Sequence, residues 1–242
     1  MSAILSISGL RKSFDAVVVA DDTTFDVRNG EALGILGPNG AGKTSLFNLI
    51  TGALKPDAGR IAFAGEDITG FSAAARCKHG IARSFQIPQP FGGMTVFENA
   101  LVGATQGAGM HGAEAEEHAL DVLQQTGLMP KANLRAGALS LLERKRLELA
   151  RALAARPRLL LLDEIAGGLT DAECVELIDT IKRIHASGTT IIWIEHVLHA
   201  LLAVVERVIV IDFGKQIAEG DPNTIMELPE VKEIYLGIDA DA

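Results

Sequence analysis

The sequence predicts an α/β fold: a core with a mostly parallel sheet, an antiparallel β subdomain at the N-terminus, and an α-helical subdomain inserted in the middle. Three observations carry this. The continuous apolar runs EALGILG, RLLLLDE and TTIIWIEH have the character of strands buried on both faces of a parallel sheet. Short alternating runs, ILSISGL and TTFDVRN, open the chain in the manner of antiparallel strands. Between about Gln86 and Ala155 the composition shifts to turns and helical patterns. The expected organisation is one domain over 1–242, with a core from 1–86 and 156–242 around a helical subdomain at 87–155.

Taken in order, Asp-Asp and Asn-Gly pairs are expected to form turns between and after the opening strands. EALGILG reads as a buried strand running into a glycine loop, and KTSLFNLITGAL as the helix behind it. GRIAFAGEDI is a further strand region, and a small helix is expected from about Ser72 to His79. QIPQPFGGMTVFENA is turn-rich. GAEAEEHALDVLQQTGL reads as an amphipathic helix with Leu120 and Leu123 on one side and Gly127 at its end. In RKRLELARALAA, Leu149, Ala150, Leu153 and Ala154 recur with helical spacing. AECVELIDTIKRIHASG is a helix ending at glycine, and RVIVIDFGKQIAEG a hairpin.

Of the 242 residues, 48% are hydrophobic and 22% charged, ordinary for a globular chain. A net charge of −9 gives no overall footprint for nucleic acid. Cys77 and Cys174 stand in no metal-ligand spacing and read as reduced, buried thiols. The N-terminus lacks the apolar run of a signal peptide. The most apolar stretch, TTIIWIEHVLHALLAVVERVIVIDF, is interrupted by Glu195, His196, His199, Glu206 and Arg207, which argues against a membrane span. A soluble cytosolic chain is expected; if it serves a membrane, it does so as a peripheral subunit.

GPNGAGKT, Gly37 to Thr44, matches G-x-x-x-x-G-K-[ST] and lies between an apolar strand and a helix, where such a loop cradles phosphate. Its members are Gly37, Pro38, Asn39, Gly40, Ala41, Gly42, Lys43 and Thr44, with Ser45 beside them. Glycines let several N–H groups converge on one anion, and the helix N-terminus adds partial positive charge. Lys43 supplies a full charge to the β- and γ-phosphates, and Thr44 offers a hydroxyl to Mg²⁺. LLLLDE completes the pattern. Asp163, ending a buried strand, would hold Mg²⁺ through water; Glu164 would act on the attacking water as general base or positioner.

These motifs resemble the ATP-binding subunits of ABC transporters, over nearly the whole chain. The resemblance implies a P-loop NTPase core that binds ATP with Mg²⁺ and hydrolyses it. It places Phe14, in RKSF, where the family stacks an aromatic on adenine, the alternative being a core Phe. It makes Gln86, in RSFQ, a glutamine touching Mg²⁺ or the lytic water and sensing the membrane partner. It makes His196, in WIEH, a γ-phosphate contact. Family members work as head-to-tail dimers, each ATP held between one subunit's phosphate loop and the other's signature, usually Leu-Ser-Gly-Gly-Gln. Here that place is taken by Leu139, Ser140, Leu141, Leu142 and Glu143. Backbone donors survive a Gly→Leu change, and Ser140-x-x-Glu143 is a capping-box pattern that would fix the helix start and occupy the Glu143 carboxylate. Two readings stand: a working variant in which Ser140 and the following amides serve the partner's ATP, or a degenerate element with slow or absent hydrolysis. A second departure is Gly167, Gly168, Leu169 and Thr170 where the family has Ser-Ala-Leu-Asp. Thr170 could donate one hydrogen bond there, but not a charge-assisted one.

Within the family, RSFQ followed by MTVFENALVGA, the variant signature, IEHVLHAL and the ending IAEGDPNTI…VKEIYLG are similar to the ATPase subunits of importers for branched-chain and other hydrophobic amino acids. That resemblance implies transmembrane permease subunits and a second ATPase subunit, identical or different, as partners. A solute-binding protein would act indirectly, and the chain would sit on the cytoplasmic face of the plasma (inner) membrane. The permease contact is expected in IPQPFGGMTVFENAL, with Phe91 meeting a permease helix or, alternatively, Phe91 and Phe97 packing the insert. A non-hydrolytic regulatory cassette is the rival function, and a nucleic-acid or ribosome ATPase a further one.

Overall fold

The computed structural model describes residues 3–236. Of the terminal motif, Gly237 lies outside the described residues. In chain order the elements are β1 (Ala3–Phe14), β2 (Val17–Arg28), β3 (Ala32–Leu36), α1 (Lys43–Thr51), β4 (Ala58–Phe63), β5 (Glu66–Asp67), α2 (Ala73–Lys78) and β6 (Ile81–Ser84). Then come α3 (Val96–Val102), a π-helical turn (Gly103–Gly107), α4 (Gly112–Gln125), α5 (Leu141–Ala154), β7 (Leu159–Asp163) and α6 (Asp171–Ala186). The chain ends with β8 (Thr190–Ile194), α7 (Leu198–Leu202), β9 (Arg207–Asp212), β10 (Lys215–Gly220), α8 (Pro222–Ile225) and α9 (Pro229–Leu236). Two compact units result: one runs to Ala73 and resumes at Thr190, and the other is Ala74–Thr189.

The first unit holds an antiparallel sheet in the order β2-β1-β4-β5 and a mixed group, β10-β9-β3-β8, in which β3 is parallel to both β8 and β9. Every residue of β3 and β8 is buried, so these strands read as unbroken apolar runs rather than alternating ones. The opening hairpin differs from expectation. Its turn is at Asp15, with φ 50, and β2 runs straight through the Asp-Asp pair. Asp22, at φ 60, instead marks an irregularity in the β1–β2 register, between Leu10↔Thr23 and Lys12↔Ala20. Asp tolerates left-handed backbone without a full turn, so composition there could not separate a bulge from a reversal.

At the far end of β3 from the phosphate loop, Glu31 is 2% exposed. Arg207 reaches it through Nε at 2.7 Å and Nη2 at 3.0 Å, and the Arg28 backbone N–H donates to it at 2.7 Å. Arg207 also donates to the Asp26 carbonyl at 2.6 Å and pairs with Glu219. One guanidinium thereby ties β9 to β2, to the start of β3 and to β10.

In the second unit β6 and β7 pair in parallel, Ile81↔Leu159 through Ser84↔Leu162, beside α2 to α6. The helices start where side chains satisfy their first amides. Thr95 with Glu98, Ser140 with Glu143, and Thr170 with Glu173 each form a reciprocal capping box. The first of these turns the expected turn-rich MTVFENA into α3 from Val96 onward. The buried face of α4 is Ala115, Ala119, Val122 and Leu123, with Leu120 only half-buried. Leu149, Ala150, Leu153 and Ala154 are all buried on α5, as their spacing predicts. Cys174 is buried and Cys77 half-buried, both unbridged. Among the described residues, no helix is long and apolar enough to cross a membrane.

Burial pushes the Glu31 carboxyl up, but hydrogen bonds from Arg207 and Arg28 and the Arg207 charge outweigh it and hold it below its ordinary 4.5. Its contribution to stability is complete above pH 4.5 and is lost as pH falls through the lowered folded value. Arg207→Met should cost about 3 kcal/mol in urea unfolding at pH 7, because it strips a buried carboxylate of its main partner. The variant should also lose much of this acid-side slope.

Candidate functional site

The phosphate loop is built as its residue types require. β3 delivers the chain, fully buried, to Gly37, and α1 starts at Lys43. A side chain at Gly37 would put its Cβ 2.1 Å from the Ile211 carbonyl oxygen, so only glycine lets the loop leave the sheet beside β9. Gly42, at φ 101, caps α1, and a Cβ there would lie 2.3 Å from the Val19 carbonyl oxygen. No side chain caps this helix and no acid lies in its first turn. Its first intrahelical bond runs from the Leu46 N–H to the Gly42 carbonyl at 2.8 Å, so the amides of the first turn point beyond the helix end. The Gly214 N–H donates to the Ala41 carbonyl at 2.9 Å, and the Gly214 carbonyl accepts from the Asp21 N–H at 2.9 Å. The β9–β10 turn thus fixes the loop's peptide orientation; nothing in the sequence pattern marked that contact.

Lys43 is 5% exposed and donates from Nζ to the Gly37 carbonyl at 2.6 Å and the Pro38 carbonyl at 2.9 Å. These two bonds lay the ammonium against its own loop. Asn39 and Gly40 are exposed at the loop's crest, Ala41 is buried, Thr44 is exposed and Ser45 half-buried. Phe14 ends β1 with 48% of its surface exposed, so it is not a core residue. The Lys12 ammonium lies 5.3 Å from its ring centroid and pairs with Asp57 at 2.6 Å. His196 is exposed just after β8. Its own N–H donates to the Glu195 carboxylate at 3.2 Å, and that carboxylate, 1% exposed, also accepts from the buried Trp193 indole at 3.2 Å. Glu195 therefore sets the turn that presents His196, a role the sequence reading missed because Glu195 looked like a mere interruption of an apolar run.

The second unit carries the carboxylates. Asp163 closes β7 at 2% exposure, and Arg83 of β6 donates to its Oδ2 at 2.5 Å. Glu164 follows at φ 48, a left-handed conformation that few non-glycine residues adopt, and this turns its side chain off the strand line. Gln86 Nε2 donates to Glu164 Oε2 at 2.5 Å. The ends of the neighbouring parallel strands are therefore linked twice, Arg83 to Asp163 and Gln86 to Glu164. Arg83 escaped the sequence reading because a lone basic residue in IARS looks like a surface position.

Ser140 begins α5 as anticipated. Its Oγ accepts from the Glu143 N–H at 3.4 Å, and its own N–H donates to Glu143 Oε2 at 2.9 Å. Lys131 pairs with the other Glu143 oxygen. That hydrogen bond, then the one from Ser140, holds the Glu143 carboxyl below its usual range. Leu141 is 46% exposed, and its Cδ2 lies 3.5 Å from where a Cβ on Gly168 would be. A side chain at Gly168 would thus meet Leu141 at ordinary packing distance. Thr170 spends its hydroxyl on Glu173, donating to Oε2 at 2.8 Å and accepting from the Glu173 N–H at 3.4 Å, so its role is to cap α6.

The segment that follows β6 exposes Phe85, Ile87 and Phe91. It is gripped by α5, where Glu148 accepts from the Gln89 N–H at 3.0 Å and Arg151 donates to the Gln89 carbonyl at 3.0 Å. The Arg151 guanidinium also stacks 4.8 Å from the Phe91 ring centroid.

Thr44 in the first unit, and Asp163 and Gln86 in the second, each carry a hard oxygen of the kind Mg²⁺ takes, and among the described residues no cluster of His, Cys, Asp and Glu forms a metal cage. A cation that keeps several waters and leans on phosphate oxygens needs few protein ligands. Gly42→Ala should weaken binding of a fluorescent ATP analogue by about 100-fold, since it displaces donors aimed at the anion. Circular dichroism should confirm that the variant remains folded.

A family model described as ABC transporter matches residues 20–167. BraF, a high-affinity branched-chain amino acid transport ATP-binding protein of Pseudomonas aeruginosa, is 34% identical, over 97% of this chain and 98% of that protein. LivG of Escherichia coli, named in the same terms, is 33% identical with the same coverage. LptB of Acidithiobacillus ferridurans, a lipopolysaccharide export system ATP-binding protein, is also 33% identical, covering 98% of both. A nucleotide-free ATP-binding cassette from an ABC transporter superposes with a TM-score of 0.88 at 32% identity, covering 98% of this chain and 100% of that one. An ADP-conformation cassette gives the same values. With the phosphate loop, the acidic strand end and this full-length similarity together, the chain belongs to the ATP-binding cassette family of ABC transporters, whose expected activity is ATP hydrolysis.

Proposed function

We propose that this chain powers an importer for branched-chain or other hydrophobic amino acids, by binding ATP with Mg²⁺ and hydrolysing it. The observation that carries the ATP reading is Lys43, buried beneath a glycine loop at an uncapped helix N-terminus. On binding, the Lys43 ammonium moves from the Gly37 and Pro38 carbonyls to the β- and γ-phosphates, and the first-turn amides of α1 take phosphate oxygens. Phe14 offers its exposed ring to adenine. Thr44, Asp163 and Gln86 would hold Mg²⁺, Asp163 through water, and a bound ion there would supply positive charge to the phosphates. Glu164, steered by its bond to Gln86, orients the attacking water, and His196 contacts the γ-phosphate.

The amino-acid importer reading rests on likeness to BraF and LivG over nearly the full chain. The partners follow from it: transmembrane permease subunits, a second ATPase subunit, identical or different, and, indirectly, a solute-binding protein, with this chain peripheral on the cytoplasmic face of the membrane. The exposed Phe85, Ile87 and Phe91 are the surface offered to a permease helix. ATP closes the two ATPase subunits because each γ-phosphate is bound well only by both together; hydrolysis removes that shared contact and reopens them. Similarity to LptB keeps export of a lipid-linked substrate as the second reading. The intact Glu164 disfavours a purely regulatory cassette.

Membrane vesicles carrying the tagged chain with its co-purifying subunits should show ATP-dependent uptake of radiolabelled leucine or isoleucine. Lys43→Met should abolish ATP binding. Glu164→Gln should retain binding but lower kcat by about 100-fold or more. EDTA should silence hydrolysis. Extrusion of a lipid substrate without amino-acid uptake would favour the second reading; hydrolysis unaffected by E164Q would remove Glu164 from the mechanism.

A further inference from the structure

We infer that Lys131 is a positioning residue for ATP hydrolysis: it neutralises the Glu143 carboxylate so that the start of α5 accepts the γ-phosphate of ATP bound to the partnering ATPase subunit. The inference rests on the reading that the segment from Leu139 to Glu143 serves the partner's nucleotide.

A carboxylate in this segment presents an electrostatic conflict. Glu143 is the acid of α5's first turn, three residues from Ser140, where a trianionic phosphate tail would have to approach. As a capping-box acid it stabilises the helix start, but its charge repels the incoming anion. The capping bond from the Ser140 N–H engages Oε2 and leaves that charge in place. Lys131 answers it on Oε1.

The lysine is placed for this by the chain between α4 and α5. Met129–Lys131 forms a 3₁₀ turn, and the Lys131 N–H donates to the Leu128 carbonyl at 2.9 Å. Leu128 is itself buried, so the turn is anchored rather than loose. Other cations nearby are committed elsewhere. Arg144 donates to the Leu139 carbonyl at 2.9 Å and to the Gly137 carbonyl at 3.0 Å, and Arg146 pairs with Glu176 at 2.6 Å. Lys145 is buried, with Nζ 3.5 Å from the Glu164 carbonyl. Lys131 is therefore the cation joined to Glu143. The Lys131 side chain is 43% exposed, so the compensation acts through a partly solvated pair and is sensitive to salt.

The test uses the full chain purified with the subunits that come down with it, and reads KM for ATP and kcat separately. At low salt Lys131→Met should raise KM for ATP by about tenfold, and most of that increase should vanish at about 0.5 M salt. Lys131→Arg should restore the wild-type KM. In a Glu143→Gln background, where the capping box is retained without the charge, adding K131M should change KM by less than about twofold. A structural role for Lys131 would instead persist in that background and at high salt; either result, or a K131M enzyme indistinguishable from wild type, overturns the inference. Ser140→Asp separates the underlying reading, since it keeps a good cap but adds charge at the phosphate position. If S140D leaves turnover intact, the segment does not serve a phosphate and the reading itself fails. If S140D abolishes turnover while K131M is silent, only the role of Lys131 fails. A wild-type preparation that does not hydrolyse ATP overturns both.

Discussion

The first unit is organised around one constraint: a glycine loop must pass hard against neighbouring backbone and lead straight into a helix that no side chain caps. An apolar strand, β3, buries everything up to the loop. A helix with neither side-chain cap nor first-turn acid follows, unlike α3, α5 and α6, which close their own first turns with capping boxes. The loop survives because tertiary neighbours hold it. Gly37 leaves the sheet against the Ile211 carbonyl, Gly42 passes the Val19 carbonyl, and the Gly214 N–H secures the Ala41 carbonyl. Lys43 lies against the same loop, its Nζ on the Gly37 and Pro38 carbonyls.

In the second unit, a rigid helix connects functions far apart in sequence. The start of α5 is fixed by Ser140 and Glu143, and its middle grips the loop after Gln86 through Glu148 and Arg151. A displacement of α5 would therefore carry the exposed Phe91 loop with it. The strand ends add a second linkage, since Gln86 and Arg83 both bond to the acids at the end of β7. Hydrogen bonds within this unit thus run from the start of α5, along its length, to the exposed loop that carries Phe91, and from the end of β6 to the acids that close β7.

The two departures from the usual family sequence each have a local explanation. Leu141 heads α5 exposed to solvent, behind a cap that Ser140 and Glu143 complete without it. Gly168 has φ 77, a left-handed backbone that suits glycine, and a Cβ there would meet Leu141 only at ordinary packing distance. Thr170 closes the cap of α6.

The sequence by itself determined the parts whose physics is local. Continuous apolar runs specify buried strands, G-x-x-x-x-G-K-T between strand and helix specifies an anion-binding loop, and Ser140-x-x-Glu143 specifies a helix start, as each needs only residues a few positions apart. The tertiary structure alone decided what depends on distant partners. Arg83 meets Asp163 across two parallel strands, Glu195 fastens the turn before His196 to a buried indole, Gly214 braces the phosphate loop, and Lys131 finds Glu143. Local patterning carries no trace of these pairings. Chain topology sets the separations, and a charged residue written inside an apolar run looks the same whether it ends in solvent or on a buried partner.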